Sequence, residues 1–241
     1  MARFDRMASV EVGLRNDTFN GYIGTIKLSA LRISFSIQKN LAWSTNTASV
    51  KIWNLSQENR NRIKDYGDQV ILSAGYRQDA GEQLLFIGNT TQVSHAYDQP
   101  EIVTTLDCGD GERVLNQKSI TVSFKEKVPV RQVVQTIADQ LGLSISEFTA
   151  TDNVVYEQGF EYAGMGKNAL DKALLRLGLR WSVQNGKLQI IPQYGTTSKP
   201  AVEINADTGM IGIPQRYTDK RAAVYLNGPR TGYIVQTTLR P

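Results

Sequence analysis

One cysteine and one histidine are all that 241 residues supply of the two most versatile side chains in protein chemistry. Cys108 alone cannot make an internal disulfide or a multi-cysteine zinc site. Its setting, Thr105-Leu106-Asp107-Cys108-Gly109-Asp110, reads as a strand end with nothing beside it to lower a thiol pKa. Cys108 is therefore expected as a small buried hydrophobe. His95 alone removes most hydrolase triads and most metal constellations, and its place at a strand end predicts a surface or edge position. No apolar run approaches the roughly 18 to 20 residues needed to span a bilayer. The opening stretch, MARFDRMASVEVGL, lacks the apolar core of a signal peptide, so the product is expected to stay in the cytoplasm where it is made. Charge of one sign is scarce too. Basic residues number 27 against 23 acidic, a net +4, and no three basic residues stand in a row. That balance does not argue for nucleic acid by itself.

What is present is an ordinary globular composition, 41% hydrophobic and 21% charged, on a chain long enough for one large or two small domains. The organising stretch runs from Thr25 to Tyr76. Leu31, Ile33, Phe35 and Ile37 alternate with polar residues, as in a strand with one wet face. A polar loop containing Trp43 leads to a second strand with Ala48, Val50 and Ile52 on one face and Lys51 and Trp53 on the other. Ser56 is placed to cap a short helix through Ile63, and Gln69 to Tyr76 returns as a strand. Before this stretch, Ser9 to Leu14 forms a usable strand. After it, strands are expected over 83–88, 90–97 and 101–108, separated by turn residues. Strands at this spacing predict an antiparallel barrel or sandwich that closes near residue 110.

Gly109-Asp110-Gly111-Glu112-Arg113 has too few oxygen ligands for a calcium loop and reads as the turn leaving the barrel. A strand over 120–124 follows. Pro129 then opens a helix whose Val130, Val133, Val134, Ile137 and Leu141 form one apolar stripe ended by Gly142. Gly164-Met165-Gly166-Lys167-Asn168-Ala169 matches G-x-G-x-x-A, but no buried parallel strand is apparent before it, so a nucleotide site is not expected. A helix is expected over 168–177. Asn185-Gly186 is the preferred two-residue hairpin turn, which sets Val183 against Leu188 and Trp181 against Ile190. Short strands follow over Ala201–Ile204, around Met210–Pro214, at Ala222–Leu226 and from Tyr233 to Leu239.

Two blocks carry a resemblance. "ISFSIQKNL" through "TASVKIWNLSQENRNRI" to "VILSAGY" is similar to the N-terminal domain of the baseplate hub proteins of contractile-tailed bacteriophages. The helix ending in Leu-Gly-Leu, the Asn-Gly hairpin and "NADTGMIGIPQ" resemble the second half of the same proteins. The resemblance covers most of residues 25 to 240 and is one of pattern, with no catalytic signature. It implies a mainly β fold with some α. Two barrel-like antiparallel β domains related to the phage tail tube would carry a few short helices packed outside. The implied division is residues 1–110 as the tube-like domain, 111–178 as a helical and linking region, and 179–241 as a second β domain. Hub proteins of this kind usually continue with strands that close the second barrel. Here the sequence ends at Arg240-Pro241, so a neighbouring chain completes that barrel, or it is smaller, or the sequence is part of a longer one.

The implied role is structural, without enzyme activity, cofactor or metal. The chain would sit in the virion as a homotrimeric ring where the tail tube meets the spike, in contact with both and with baseplate wedge proteins, around a channel open to genomic DNA. Trp43, Trp53 and Tyr76 are the candidate interface aromatics, with core filling as their bland alternative. A binding module for oligonucleotides or sugars is the second reading, resting on Arg32, Lys51 and Trp53. A wall-degrading hydrolase is the third. It would need a carboxylate pair, and Asp107, Asp110, Glu112, Glu157 and Glu161 all stand in turn-like contexts with no sign of a cleft.

Overall fold

The computed structural model describes residues 5–15, 22–40, 45–63, 66–78, 80–149, 154–175, 177–193, 221–226 and 233–238. Residues 1–198 form one compact unit and 199–241 a second. The first unit opens with a seven-stranded antiparallel sheet: β1 (Arg6–Arg15), β2 (Tyr22–Leu28), β3 (Ile33–Gln38), β4 (Thr47–Trp53), β5 (Gln69–Tyr76), β6 (Gly81–Asp98) and β7 (Glu101–Gly109). Helix α1 (Gln57–Arg62) joins β4 to β5, capped by Ser56, whose Oγ accepts the Asn59 amide at 3.3 Å. The order across the sheet is β2-β1-β5-β6-β7-β4-β3. Period-two alternation aims Val10 and Val12 of β1, Ile26 of β2, Val50 and Ile52 of β4, and Leu72 of β5 into one buried cluster with Phe86 and Leu106. Strands from both ends of the order share that core, so the sheet bends round on itself.

Strand β6 makes the bend. Its first half pairs with β5 as far as Asn89 and its second half with β7 from Asn89 to Asp98, with a register slip between Thr90 and Gln92. Such a slip adds twist and turns a strand. The sequence reading split this element into 83–88 and 90–97, because Gly88-Asn89 looks like punctuation. The backbone runs straight through it. Cys108 lies in this core at 2% exposure, and burial, aided by the charge of Asp107, pushes its thiol up to about 12.

A second core follows in the same unit. Its elements are α2 (Glu112–Asn116), β8 (Ser119–Phe124), β9 (Val128–Pro129), α3 (Val130–Leu141), β10 (Ser144–Phe148), β11 (Val155–Tyr156), β12 (Phe160–Met165), α4 (Gly166–Leu174), β13 (Leu179–Gln184) and β14 (Lys187–Pro192). The apolar stripe of α3 is buried along its whole length. Pro129 is the N-cap rather than the first helical residue, and its fixed φ suits either place. Helix α4 runs from Gly166 to Leu174 instead of 168–177, since Leu175 already has extended ψ.

The residues before Gly164 form a strand, but not the buried parallel one that a dinucleotide site needs, in line with the sequence reading. That strand, β12, is antiparallel to β8 in a two-stranded sheet, so the parallel geometry of a dinucleotide site is not made. Gly166 serves packing instead, because a Cβ there would collide with the Leu141 side chain of α3.

The β13–β14 hairpin has the expected register, with Val183 opposite Leu188 and Trp181 opposite Ile190. Asn185 and Gly186 turn with φ of 53° and 76°, the pair of positive values that this turn demands. Strand β10, absent from the sequence reading, adds in parallel to β14 and completes a three-stranded sheet. In the second unit, β15 (Arg221–Leu226) and β16 (Tyr233–Thr238) form an antiparallel hairpin. The segments expected as strands at 201–204 and 210–214 lie outside the described residues. Among the described residues no helix is long and apolar enough to cross a membrane.

Candidate assembly interface

The curled sheet leaves strand edges open. Among the described residues β3 pairs only with β4. Residues Arg6 to Ser9 of β1 pair with β5 but lie beyond the reach of β2, whose ladder on β1 begins at Val10. From Thr91 to Asp98, β6 pairs with β7 alone, because the β5 ladder ends at Asn89. An edge of this kind presents backbone donors and acceptors to another chain. The β6 extension is exposed along most of its length and carries Tyr97, 79% accessible, near its tip. His95 sits on it as expected, exposed, with Nδ1 3.0 Å from Thr104 Oγ1.

Of the three aromatics singled out from sequence, Trp43 lies outside the described residues. Trp53 ends β4, half-buried, with the Arg32 guanidinium 4.4 Å above its ring. Arg32 also reaches Glu101 at 3.6 Å. Tyr76 ends β5 and lines a groove of about 940 Å³ that Arg32 borders as well. Arg32, which covers Trp53, thus borders the same groove as Tyr76, a relation no local pattern encodes. Lys51 is exposed on the same strand as Trp53. Because Arg32 covers the indole, that face is not an open stacking platform of the sort a nucleic-acid barrel displays.

The second arrangement was missed by sequence reasoning. Asp110, read as part of an exit turn, is fully buried, and its carboxylate accepts the amides of Asn185 at 2.7 Å and Gly186 at 3.0 Å. Asn46, also buried, donates through Nδ2 to the Val183 carbonyl at 2.7 Å and to Gln184 Oε1 at 3.1 Å. Lys39 Nζ donates to Asn185 Oδ1 at 2.7 Å, and Gln184 Nε2 donates to the Asn40 carbonyl at 2.8 Å. The hairpin turn is therefore clamped by the two polar loops that flank β3 and β7. Burial raises the Asp110 carboxyl above its ordinary range, opposed by its hydrogen bonds from the Gly186 and Asn185 amides and Asn46, and by the nearby Lys39 charge. The one available signal was a Gly-Asp-Gly run placed at the end of a buried strand.

The remaining carboxylates do not build a reaction centre. Glu112 accepts Asn116 Nδ2 at 2.5 Å, Glu157 pairs with Lys127 at 2.8 Å, Glu161 is exposed on β12 and Asp107 is half-buried on β7. No group of three or more His, Cys, Asp or Glu side chains among the described residues could hold a metal ion.

A mainly β chain with a self-curled sheet has counterparts among known proteins. The profile of the baseplate hub gp41 family matches residues 10–220. This chain belongs to that family. Solved structures with the same fold include a tail protein from Neisseria meningitidis MC58, at 13% identity and a TM-score of 0.54, covering 78% of this chain and 50% of that one. The 43 kDa tail protein of prophage MuSo2 from Shewanella oneidensis aligns at 13% identity and a TM-score of 0.55, over 77% and 54% of the two chains. The Francisella PdpA–VgrG complex, half-lidded, aligns at 8% identity and a TM-score of 0.50, over 78% and 31%. At these identities the likeness is one of fold. The hub chain spans about half the length of the first two relatives. No curated protein matches it by sequence. Membership makes it a structural component of a phage tail baseplate, with the tail-tube-like β fold expected from its sequence.

Proposed function

We propose that this hub chain assembles with copies of itself into a ring, a homotrimer by resemblance, which joins the tail tube to the spike and receives the baseplate wedge proteins at its rim. The observation that carries the reading is the family match over residues 10–220, on a sheet whose β1, β3 and β6 edges are open. Closed rings form when one patch of a subunit meets a different patch of the next. The tube-like part would be residues 1–110, with 111–178 as the connecting layer and 179–241 as a second β part. Trp53 and Tyr76 would lie at or beside the contacts. Genomic DNA would pass along the axis, and assembly would take place in the host cytoplasm. The chain would act by rigid contacts and matched symmetry, without catalysis.

The test is the oligomeric state of the complete chain, alone and with tube and spike proteins, by light scattering and electron microscopy. A ring burying over about 2,000 Å² per contact supports the proposal. A chain that stays monomeric at high concentration and gains no ring from its partners overturns it.

A further inference from the structure

The groove beside Tyr76 is unlike the rest of the surface. Two strand edges with no strand partner beyond them among the described residues reach the same hollow: Arg6 to Ala8 of β1 and Ile33 to Phe35 of β3. The groove holds about 940 Å³, space enough for a short extended segment. Its apolar surface includes Ile33, Phe35 and Tyr76, and Phe35 is 38% exposed although it alternates in phase with the half-buried Ile33 and Ile37. Three guanidinium groups, those of Arg6, Arg32 and Arg77, border it against one carboxylate. That carboxylate, Glu82, is already bonded by Ser9 Oγ at 2.6 Å. Arg32 is already shared with Glu101, whereas Arg6 and Arg77 have no ion-pair partner among the described residues.

We propose that this groove is a β-augmentation site, which takes one extended segment of another polypeptide in which acidic side chains alternate with apolar ones. Each feature selects part of that description. Open strand edges offer both N–H and C=O, which an added strand matches and a phosphodiester backbone does not. The period of two in a strand sends alternate side chains to opposite faces, one set onto Ile33 and Phe35 and the other toward the guanidiniums. Arginine forks match carboxylates in a bidentate fashion. The inference extends the assembly reading to one class of partner segment, but its test needs only the isolated hub chain. A failed ring and an empty groove are therefore separate outcomes.

The probe is a synthetic strand of about eight residues alternating valine with glutamate, compared with its valine–lysine counterpart and with a single-stranded oligothymidylate of similar length. Fluorescence anisotropy at about 50 and 300 mM salt should show the glutamate strand binding at least about tenfold tighter than the lysine strand, and losing affinity with salt. Amide hydrogen exchange should slow over Ile33–Gln38 and Arg6–Ser9 when the strand is bound. The double variant R6E/R77E should reverse the charge preference. Should that variant misfold, the exchange pattern of the unaltered chain decides the matter. Equal binding of both strands, tighter binding of the oligothymidylate, or no binding by about 1 mM overturns the proposal. So does binding without protection of β1 and β3.

Discussion

The carboxylate of Asp110 accepts the backbone amide of Asn185 at 2.7 Å, across 75 residues of sequence. The strand that ends the curled sheet is in this way fastened to the turn of a hairpin belonging to the second core. Each core is a separate cluster of buried apolar side chains. The specific polar fastening between them falls largely to Asp110 and Asn46.

Replacing Asp110 by alanine should therefore destabilise the chain by about 1–3 kcal/mol, as expected when partly buried amides lose their acceptor. Equilibrium denaturation in urea measures it. The signature to look for is loss of a single cooperative transition, with the second core melting on its own, because the two hydrophobic clusters would remain intact. A variant as stable as the parent would show that the clamp is idle.

The pH dependence of the same site has a definite sign. Burial holds the Asp110 carboxyl above its ordinary value of 3.8, so the folded chain binds that proton more tightly than the unfolded chain does. Its contribution to stability is complete below 3.8 and is lost as pH rises through the folded value. Asn at this position cannot titrate. The stability difference between the parent and D110N should narrow as pH climbs from 3.8 toward neutrality, read by calorimetry across a pH series. A difference that widens over this range contradicts the assignment.

Cys108 should be inert in the native chain. With its thiol pushed up to about 12 and 2% of its surface exposed, neither thiolate nor access is available at pH 8 to 9. Labelling with iodoacetamide should proceed only in denaturant. Rapid native labelling would mean that β7 opens far more readily than its central place in the sheet suggests.

Gly166 is a packing glycine, and G166A tests that directly. The added methyl meets Leu141 inside the contact between α3 and α4, and overpacking of this sort costs about 1–3 kcal/mol. A truncating change at Leu141 should recover part of the loss in the double variant, since the two side chains compete for one space. If Gly166 were kept for a ligand's approach instead, G166A would leave the melting temperature unchanged.

Under the proposed assembly, Trp53 should separate folding from self-association. Its ring is covered on one side by Arg32, an exposed cation–π contact worth about 0.5–1 kcal/mol. W53A should lower stability by little more than the lost contact and the ring's partial burial, while reducing self-association of the hub several-fold. Sedimentation velocity alongside thermal melts distinguishes the two. Equal, small effects on both would place Trp53 in the fold alone.

The sequence was most legible where structure is local. The Asn185-Gly186 turn, the α3 stripe with Gly142, and the Ser56 cap are each specified within a dozen residues, and each appears as expected. Pairings that join distant segments left no such trace. Five residues of β10 align in parallel with a strand about 42 positions away, and their short alternation is indistinguishable from a linker. Helix α2 is only five residues long, too short for a period to register. Asp110 looked like a turn residue because its partners, Asn46 and the 185–186 amides, lie 64 and 75 or more positions distant. The open seam between β1 and β3 was equally hidden, since an unpaired edge is a property of the finished sheet.

The single backbone of β6 has a mechanical consequence. Both halves of the curled sheet are stitched to it: the β5 rungs end and the β7 rungs begin at Asn89, and the register slip at Thr90 to Gln92 lies just inside the β7 set. Sliding one half past the other would require a whole ladder to be broken at once. The two ladders share only Asn89, so rocking of one half against the other is concentrated at that residue and the slip beside it, like a hinge with its pin there.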